Sequence, residues 1–311
     1  MMEQAAFLKE YRCEASFQIA QEKGLTWGEL MRIAERHENN RALYQSEARR
    51  HAETIRGFTG IHTVKHRVKD TEHLIEKIIR KMNKPDVSID LENYLDEITD
   101  IIGIRAIHIF RADSEVLFDQ ICRQYKKSFA EKPVVKMRNG DDVTPYQKMI
   151  NRGAAVEFAE RYRSVHYLIR LKSNAKIELQ TRTIFEEGWS APDHELLYKH
   201  SDNKHLLITS SLLSRMAGNC DDLVQMMYEE AAATKDREPD ADVKAGGAQP
   251  TCEPGERIAE VTEEILAIDD DNCAENAEAA GFSARIAENT DSDFEKQAEL
   301  AGFLTRFIKN N

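Results

Sequence analysis

Glu178, Gln180 and Arg182 recur at every second position of KIELQTRT, alternating with Ile177, Leu179 and Thr181. This spacing predicts a β-strand that shows a carboxylate, an amide and a guanidinium on one face and apolar residues on the other. The run YRSVHYLIR lies just upstream, across a short turn at Ser173-Asn174, so residues 162–183 read as a hairpin. Its first strand places Ser164, His166 and Arg170 opposite Val165, Tyr167, Ile169 and Leu171. A sheet face carrying carboxylate, imidazole, amide and guanidinium groups is suited to the wall of an active site.

Two further segments supply complementary groups. In HTVKHRVKDTEHLIEKIIRKM (62–82), Asp70 or Thr71 is placed to cap a helix whose buried stripe is Leu74, Ile75, Ile78, Ile79 and Met82. Arg67 and Lys69 immediately precede that helix start, where backbone N–H groups favour an anion, and Lys77 reaches back from about two turns in. Three converging cations suit a polyphosphate; an exposed basic helix is the plainer alternative. In ITDIIGIRAIHIF (98–110), Asp100 stands at the entrance of an almost wholly apolar, and hence central, strand. Asp100 alone is equally well read as a turn or cap residue. Paired with Glu178 on a neighbouring strand it makes a Mg²⁺ site, since magnesium takes one or two carboxylates together with substrate phosphates. A phosphate cradle facing two carboxylates is the arrangement of metal-assisted phosphoryl transfer.

The elements that must position these groups follow in order. Residues 1–55 form an N-terminal helical segment. A basic loop from about Gly57 leads to a helix at 71–83, a strand at 100–110 and a helix at 114–127. A long irregular segment precedes the hairpin, and helices at 184–199 and 204–234 follow it. Residues 235–256, rich in Pro, Gly and charge, read as a linker. Beyond them a tail over 257–311 has helical apolar spacing at Ile258, Val261, Ile265 and Ile268, and a weak repeat at 274–282 and 295–303. The fold class is therefore α/β (α+β), with a helical acidic C-terminal extension.

Composition bounds the rest. A chain of 311 residues with 41% hydrophobic and 32% charged residues describes a soluble globular protein. No run approaches the about 20 apolar residues of a membrane helix, and the N-terminus lacks the pattern of a secretory signal. Five scattered cysteines (Cys13, Cys122, Cys220, Cys252, Cys273) without a CxxC pair predict reduced thiols and a cytoplasmic protein. The net charge of −12 is uneven: residues 257–311 carry −8, whereas residues 56–84 carry +5. His194-Glu195 is followed by Tyr198 where a zinc protease needs its second histidine, and no GxxxxGK[ST] loop occurs.

RVKDTEHLIEK, DIIGIR, YRSVH, ELQTRT and EEGWSAPDHELLYK, in this order, resemble the synthetase domain of the RelA/SpoT family, the alarmone synthetases. The resemblance covers roughly residues 50–200, and domain boundaries of 1–55, 56–234, 235–256 and 257–311 follow from it and from composition. It implies a nucleotidyltransferase-like mixed β-sheet flanked by helices. It also implies Mg²⁺-dependent transfer of the ATP pyrophosphate to the ribose 3′-hydroxyl of GDP or GTP. By position, Arg67, Lys69, Lys77 and Arg105 would bind the ATP phosphates. Asp100 would bind the metal, and Glu178 would share it or take the proton of the attacking hydroxyl. Tyr162 would stack on the acceptor base, with His166 and Gln180 beside it. Two departures stand out: His73 replaces a serine, and Phe158-Ala159-Glu160-Arg161 replaces a Lys-Pro-Asn-Gly run before Tyr162. The second of these keeps the 3′ end of tRNA, or an adenine nucleotide, as an alternative acceptor. A catalytically inactive nucleotide-binding regulator is a lesser alternative. The absence of the family's hydrolase motif suggests a small, synthetase-only member. Homo-oligomer formation, without a fixed number, and restraint of the enzyme by the acidic tail, whose helices can mimic a phosphate ligand or cover the basic loop, are further expectations.

Overall fold

The computed structural model of the protein describes residues 3–197 and 203–235; the linker and acidic-tail expectations lie outside them. The first three helices are α1 (Gln4–Glu10), α2 (Glu14–Glu22) and α3 (Trp27–Arg56), in agreement with the helical reading of 1–55. The Thr26 side chain accepts the Glu29 N–H at 3.1 Å and so fixes the start of α3. Leu30, Ile33, Tyr44, Ala48, Ala52 and Ile55 give α3 one buried stripe.

The strands are β1 (Thr63–Val68), β2 (Ile102–His108), β3 (Val134–Arg138), β4 (Ala155–Ala159), β5 (Ser164–Arg170) and β6 (Lys176–Thr183). They form one sheet in the order β1-β2-β6-β5-β3-β4. β2–β6 and β3–β4 are parallel, whereas β1–β2, β5–β6 and β3–β5 are antiparallel. The remaining helices are α4 (Thr71–Lys81), α5 (Tyr94–Glu97), α6 (Asp113–Tyr125), α7 (Gln147–Asn151), α8 (Ile184–Leu197) and α9 (Lys204–Lys235). This is the mixed, helix-flanked sheet that the sequence predicts.

Three local expectations change. The basic loop at 62–70 is mostly a strand: β1 pairs along its whole length with β2, Arg67 opposite Gly103 and Lys65 opposite Arg105. The irregular segment holds β3 and β4, both short and at one edge of the sheet. Asp70 occupies the N-cap of α4 without capping it through its side chain; its carboxylate lies 3.4 Å from Arg41 and 3.5 Å from His73.

Alternation gives the sheet two unlike faces. Ile104, Ala106, Val165, Tyr167, Ile169, Ile177, Leu179, Val135 and Met137 form the buried apolar face, packed against α3 and α6. Each large apolar side chain buried there stabilises the fold by about 1.5–3 kcal/mol. Phe118 of α6 lies 6.2 Å from the Tyr167 ring. The register places Lys65, Arg105, Gln180 and His166 side by side on the opposite face, with Arg67, Gly103 and Glu178 in the adjoining row. The hairpin turn is closed by Leu171 N–H to Ala175 O at 2.9 Å, with Asn174 in the left-handed region at φ +64°.

Burial also makes the fold acid-sensitive. His108 is 1% exposed, with Nδ1 2.9 Å from the Phe110 carbonyl and Nε2 3.3 Å from Ser114 Oγ. Burial pushes its pKa from 6.5 down to about 4. The unfolded chain binds this proton below about pH 6.5 and the folded chain resists until about pH 4, so stability is full above 6.5 and falls with acid. The loss from this group by pH 4 is roughly 3 kcal/mol. His37, His51 and His166 shift in the same direction, also through burial. Urea unfolding of His108→Gln is therefore expected to show lower stability at pH 7 and a shallower loss towards pH 4 than the parent. Equal pH slopes would remove His108 from the account.

Candidate active site

The polar face of the sheet opens into a cleft of about 190 Å³, walled by Lys65 and Arg67 of β1, Gly103 and Arg105 of β2, Glu178 and Gln180 of β6, and Asp100. Gly103 leaves a gap in its row. A Cβ built there would lie 3.5 Å from Arg67 Cγ, so the Arg67 side chain lies against the bare backbone.

Asp100 lies just before β2, as expected, and is the meeting point of two cations. Lys69 Nζ is 2.9 Å from its Oδ2, and Lys77 Nζ is 2.9 Å from its Oδ1. Burial alone would raise the Asp100 carboxyl, but the two ammonium groups hold it below its ordinary value. Lys69 is itself fixed from α3: buried His37 has Nε2 2.7 Å from the Lys69 carbonyl. Burial keeps His37 neutral at pH 7, so its Nε2–H donates. The N-terminal helices thus reach the Lys69 backbone through this hydrogen bond.

Across the cleft, His166 Nδ1 is 3.2 Å from Glu178 Oε1. Burial holds His166 in its neutral form against the attraction of Glu178, so Nδ1–H is the donor and the carboxylate the acceptor. Burial pushes Glu178 up, but the His166 hydrogen bond and Gln180 leave it below its ordinary value, against repulsion from Asp100. At pH 7 both carboxylates are ionised and repel one another. A divalent cation between them, completed by phosphate oxygens and water, would relieve that repulsion. Among the described residues no group of three or more His, Cys, Asp or Glu side chains forms a metal cage. The two carboxylates, being hard oxygen donors, would suit magnesium carried in with a phosphate ligand.

Tyr162 lies just before β5. Its hydroxyl donates to Gln180 Oε1 at 3.1 Å, and its ring meets His166 edge-on at 5.6 Å between centroids. Tyr162, His166, Gln180 and Glu178 are therefore one connected cluster. Arg161 does not join it: its guanidinium is held by Asp193 of α8 at 2.8 Å. Ser210 of α9 donates to the same carboxylate oxygen, and Ser214 donates to the Arg161 carbonyl at 2.5 Å. Two helices thus hold the segment that leads into Tyr162.

The structure also adds members that the sequence left without a role. Glu187 of α8 is buried and accepts from Lys65 at 3.0 Å and Arg105 at 3.4 Å, with Arg182 at 3.5 Å. A single carboxylate thus faces cations of three adjacent strands. The alternation that placed Glu178 and Gln180 on one face also placed Arg182 there. Lys65 follows by the same rule, two residues before Arg67, once β1 is recognised as a strand.

The mixed sheet thus sets two carboxylates between a cation cluster and an aromatic-amide cluster. The family model described as "Region found in RelA / SpoT proteins" matches residues 66–203. Over that span the chain is similar to RelA/SpoT proteins, as its five motifs imply. The GTP pyrophosphokinase YwaC of Bacillus subtilis (strain 168) is 26% identical over 165 residues, 51% of this chain and 68% of that one. The crystal structure of small alarmone synthetase 1 from Bacillus subtilis aligns with 64% of this chain and 99% of its own, at 21% identity and a TM-score of 0.47. A GTP pyrophosphokinase family protein from Streptococcus pneumoniae aligns with 68% of this chain and 98% of its own, at 18% identity and a TM-score of 0.41. Among the described residues, no helix is long and apolar enough to cross a membrane.

Proposed function

We propose that the chain is an alarmone synthetase that moves the β,γ-pyrophosphate of ATP to the ribose 3′-hydroxyl of GDP or GTP. The observation that carries this reading is the placement of Asp100 and Glu178 across one cleft, between the cations and the Tyr162 cluster. The family match and the similarity to a GTP pyrophosphokinase support it.

In this reading Arg67, Lys69, Lys77 and Arg105 bind the triphosphate of ATP. The acceptor base stacks on Tyr162, with His166 and Gln180 beside the ribose. Glu178, ionised at pH 7, takes the proton of the 3′-hydroxyl as the oxygen attacks the β-phosphorus. The new O3′–Pβ bond forms, the bond from Pβ to the α-phosphate oxygen breaks, and AMP leaves. His166 Nδ1–H holds the Glu178 carboxylate in position. Asp100 and Glu178 would hold Mg²⁺, which supplies charge neutralisation for the transferred phosphates. The catalytic unit is residues 56–234, with the N-terminal helices supporting Lys69.

Product chemistry tests this reading. With ATP, Mg²⁺ and GDP, AMP is expected to accumulate one-for-one with a nucleotide that resists periodate, because a 3′-pyrophosphate removes the ribose cis-diol. A periodate-sensitive product would contradict transfer to that hydroxyl.

A further inference from the structure

Arg182 is 3% exposed, yet the proposed reaction gives it no task. Its guanidinium carbon sits 5.0 Å from the centre of the Tyr162 ring, so it occupies one face of that ring. Its Nη2 donates to both the Tyr162 hydroxyl oxygen and Gln180 Oε1. Its Nη1 donates to Ser190 Oγ of α8 at 2.5 Å, and Glu187 Oε2 lies 3.5 Å away. α8 therefore anchors one side of the guanidinium while the other side sets two residues of the acceptor cluster.

A guanidinium has donors only, so the group that Gln180 turns towards Arg182 must be its oxygen. That oxygen also accepts the Tyr162 O–H at 3.1 Å. The Gln180 –NH₂ is thereby left on the side of the cleft, where one of its two hydrogens serves Glu178 and the second is left for a ligand. A fixed amide donor complements a base edge bearing a carbonyl oxygen, as in guanine, and opposes one bearing an amino group, as in adenine. The blocked ring face leaves the other face of Tyr162 for stacking.

We infer that Arg182 is a positioning residue that sets acceptor choice: it backs Tyr162 and locks Gln180 with its amide donor facing the base. The inference rests on the proposed acceptor role of Tyr162 and Gln180. Lysine in its place keeps a charge but lacks the planar fork that engages three partners together.

The test uses the full chain, comparing the parent with Arg182→Lys and Ser190→Ala. Calorimetric binding of GDP, ADP and a non-hydrolysable ATP analogue is measured alongside KM values for GDP and ATP. In Arg182→Lys, GDP binding is expected to weaken at least about tenfold and its preference over ADP to shrink, with binding of the ATP analogue within about twofold of the parent. Ser190→Ala, which retains the guanidinium, is expected to shift in the same direction by less. It also decides the matter should Arg182→Lys fail to fold. Unchanged GDP-over-ADP preference in the folded variants, or equal weakening of all three nucleotides, would overturn the inference. A parent that binds GDP in an Arg182-dependent way but transfers nothing would instead overturn the proposed reaction. A parent that binds neither GDP nor ADP would overturn both.

Discussion

Glu178→Gln is expected to lower kcat for pyrophosphoryl transfer by about a thousandfold or more, within the range for loss of a positioned general base together with a metal carboxylate. The substitution keeps the volume and leaves a carbonyl oxygen to accept the His166 Nδ1–H, now 3.2 Å from Oε1. The fold should therefore hold, and the melting temperature should stay within a few degrees of the parent. Loss of one charge also relieves the repulsion that Asp100 exerts on Glu178. Nucleotide binding without metal should consequently survive or improve while chemistry stops. Retention of transfer within about tenfold of the parent would show that Glu178 is not the base.

Asp100→Asn should produce the second large effect, and with a distinct signature. Asp100 accepts from Lys69 and Lys77, each at 2.9 Å, and its removal as a charge leaves two cations facing the cleft. Metal-free triphosphate should bind at least as well as to the parent, since those cations no longer share their attraction with a carboxylate. Transfer should fall by at least about a hundredfold, and raising the Mg²⁺ concentration should recover part of it if the lost function is metal binding. Some stability should be lost as well, because breaking a buried ion pair costs about 3–5 kcal/mol when a charge is left wholly unpaired, and the asparagine oxygen restores part of that. Titration of an ATP analogue with and without Mg²⁺ separates the two consequences. Weaker metal-free binding would mean that Asp100 serves only to position the two lysines.

The central part of the molecule could be read from sequence because its two requirements coincide there. β5 and β6 must bury one face and present the other, so strict alternation marks Glu178, Gln180 and His166 without any structure. β1 does not show as a strand in the sequence because only Val64 of TVKHRV is buried, so this edge strand, paired on one side, lacks the alternating signal. β4 lacks the signal for a similar reason: it lies at the other edge, and none of its five residues is buried. In β3 the alternating Val135 and Met137, followed by Asn139-Gly140, were a usable signal. What sequence could not show was pairing across distant segments. Lys77 reaching Asp100, Arg161 captured by Asp193, and Glu187 facing three cations depend on helix placement that no local pattern encodes. Arg182 was placed on its face by sequence, but its work depends on Tyr162 folding over it.

Acceptor identity gives the most direct test of the proposed reaction. The full chain is incubated with γ-labelled ATP and Mg²⁺, and separately with GDP, GTP, ADP or bulk tRNA, and the labelled species are resolved. Label is predicted on GDP and GTP, with release of AMP, and with little on ADP because the fixed Gln180 donor disfavours adenine. Label confined to tRNA or to the adenine nucleotide, or label on none of the four, would contradict the account.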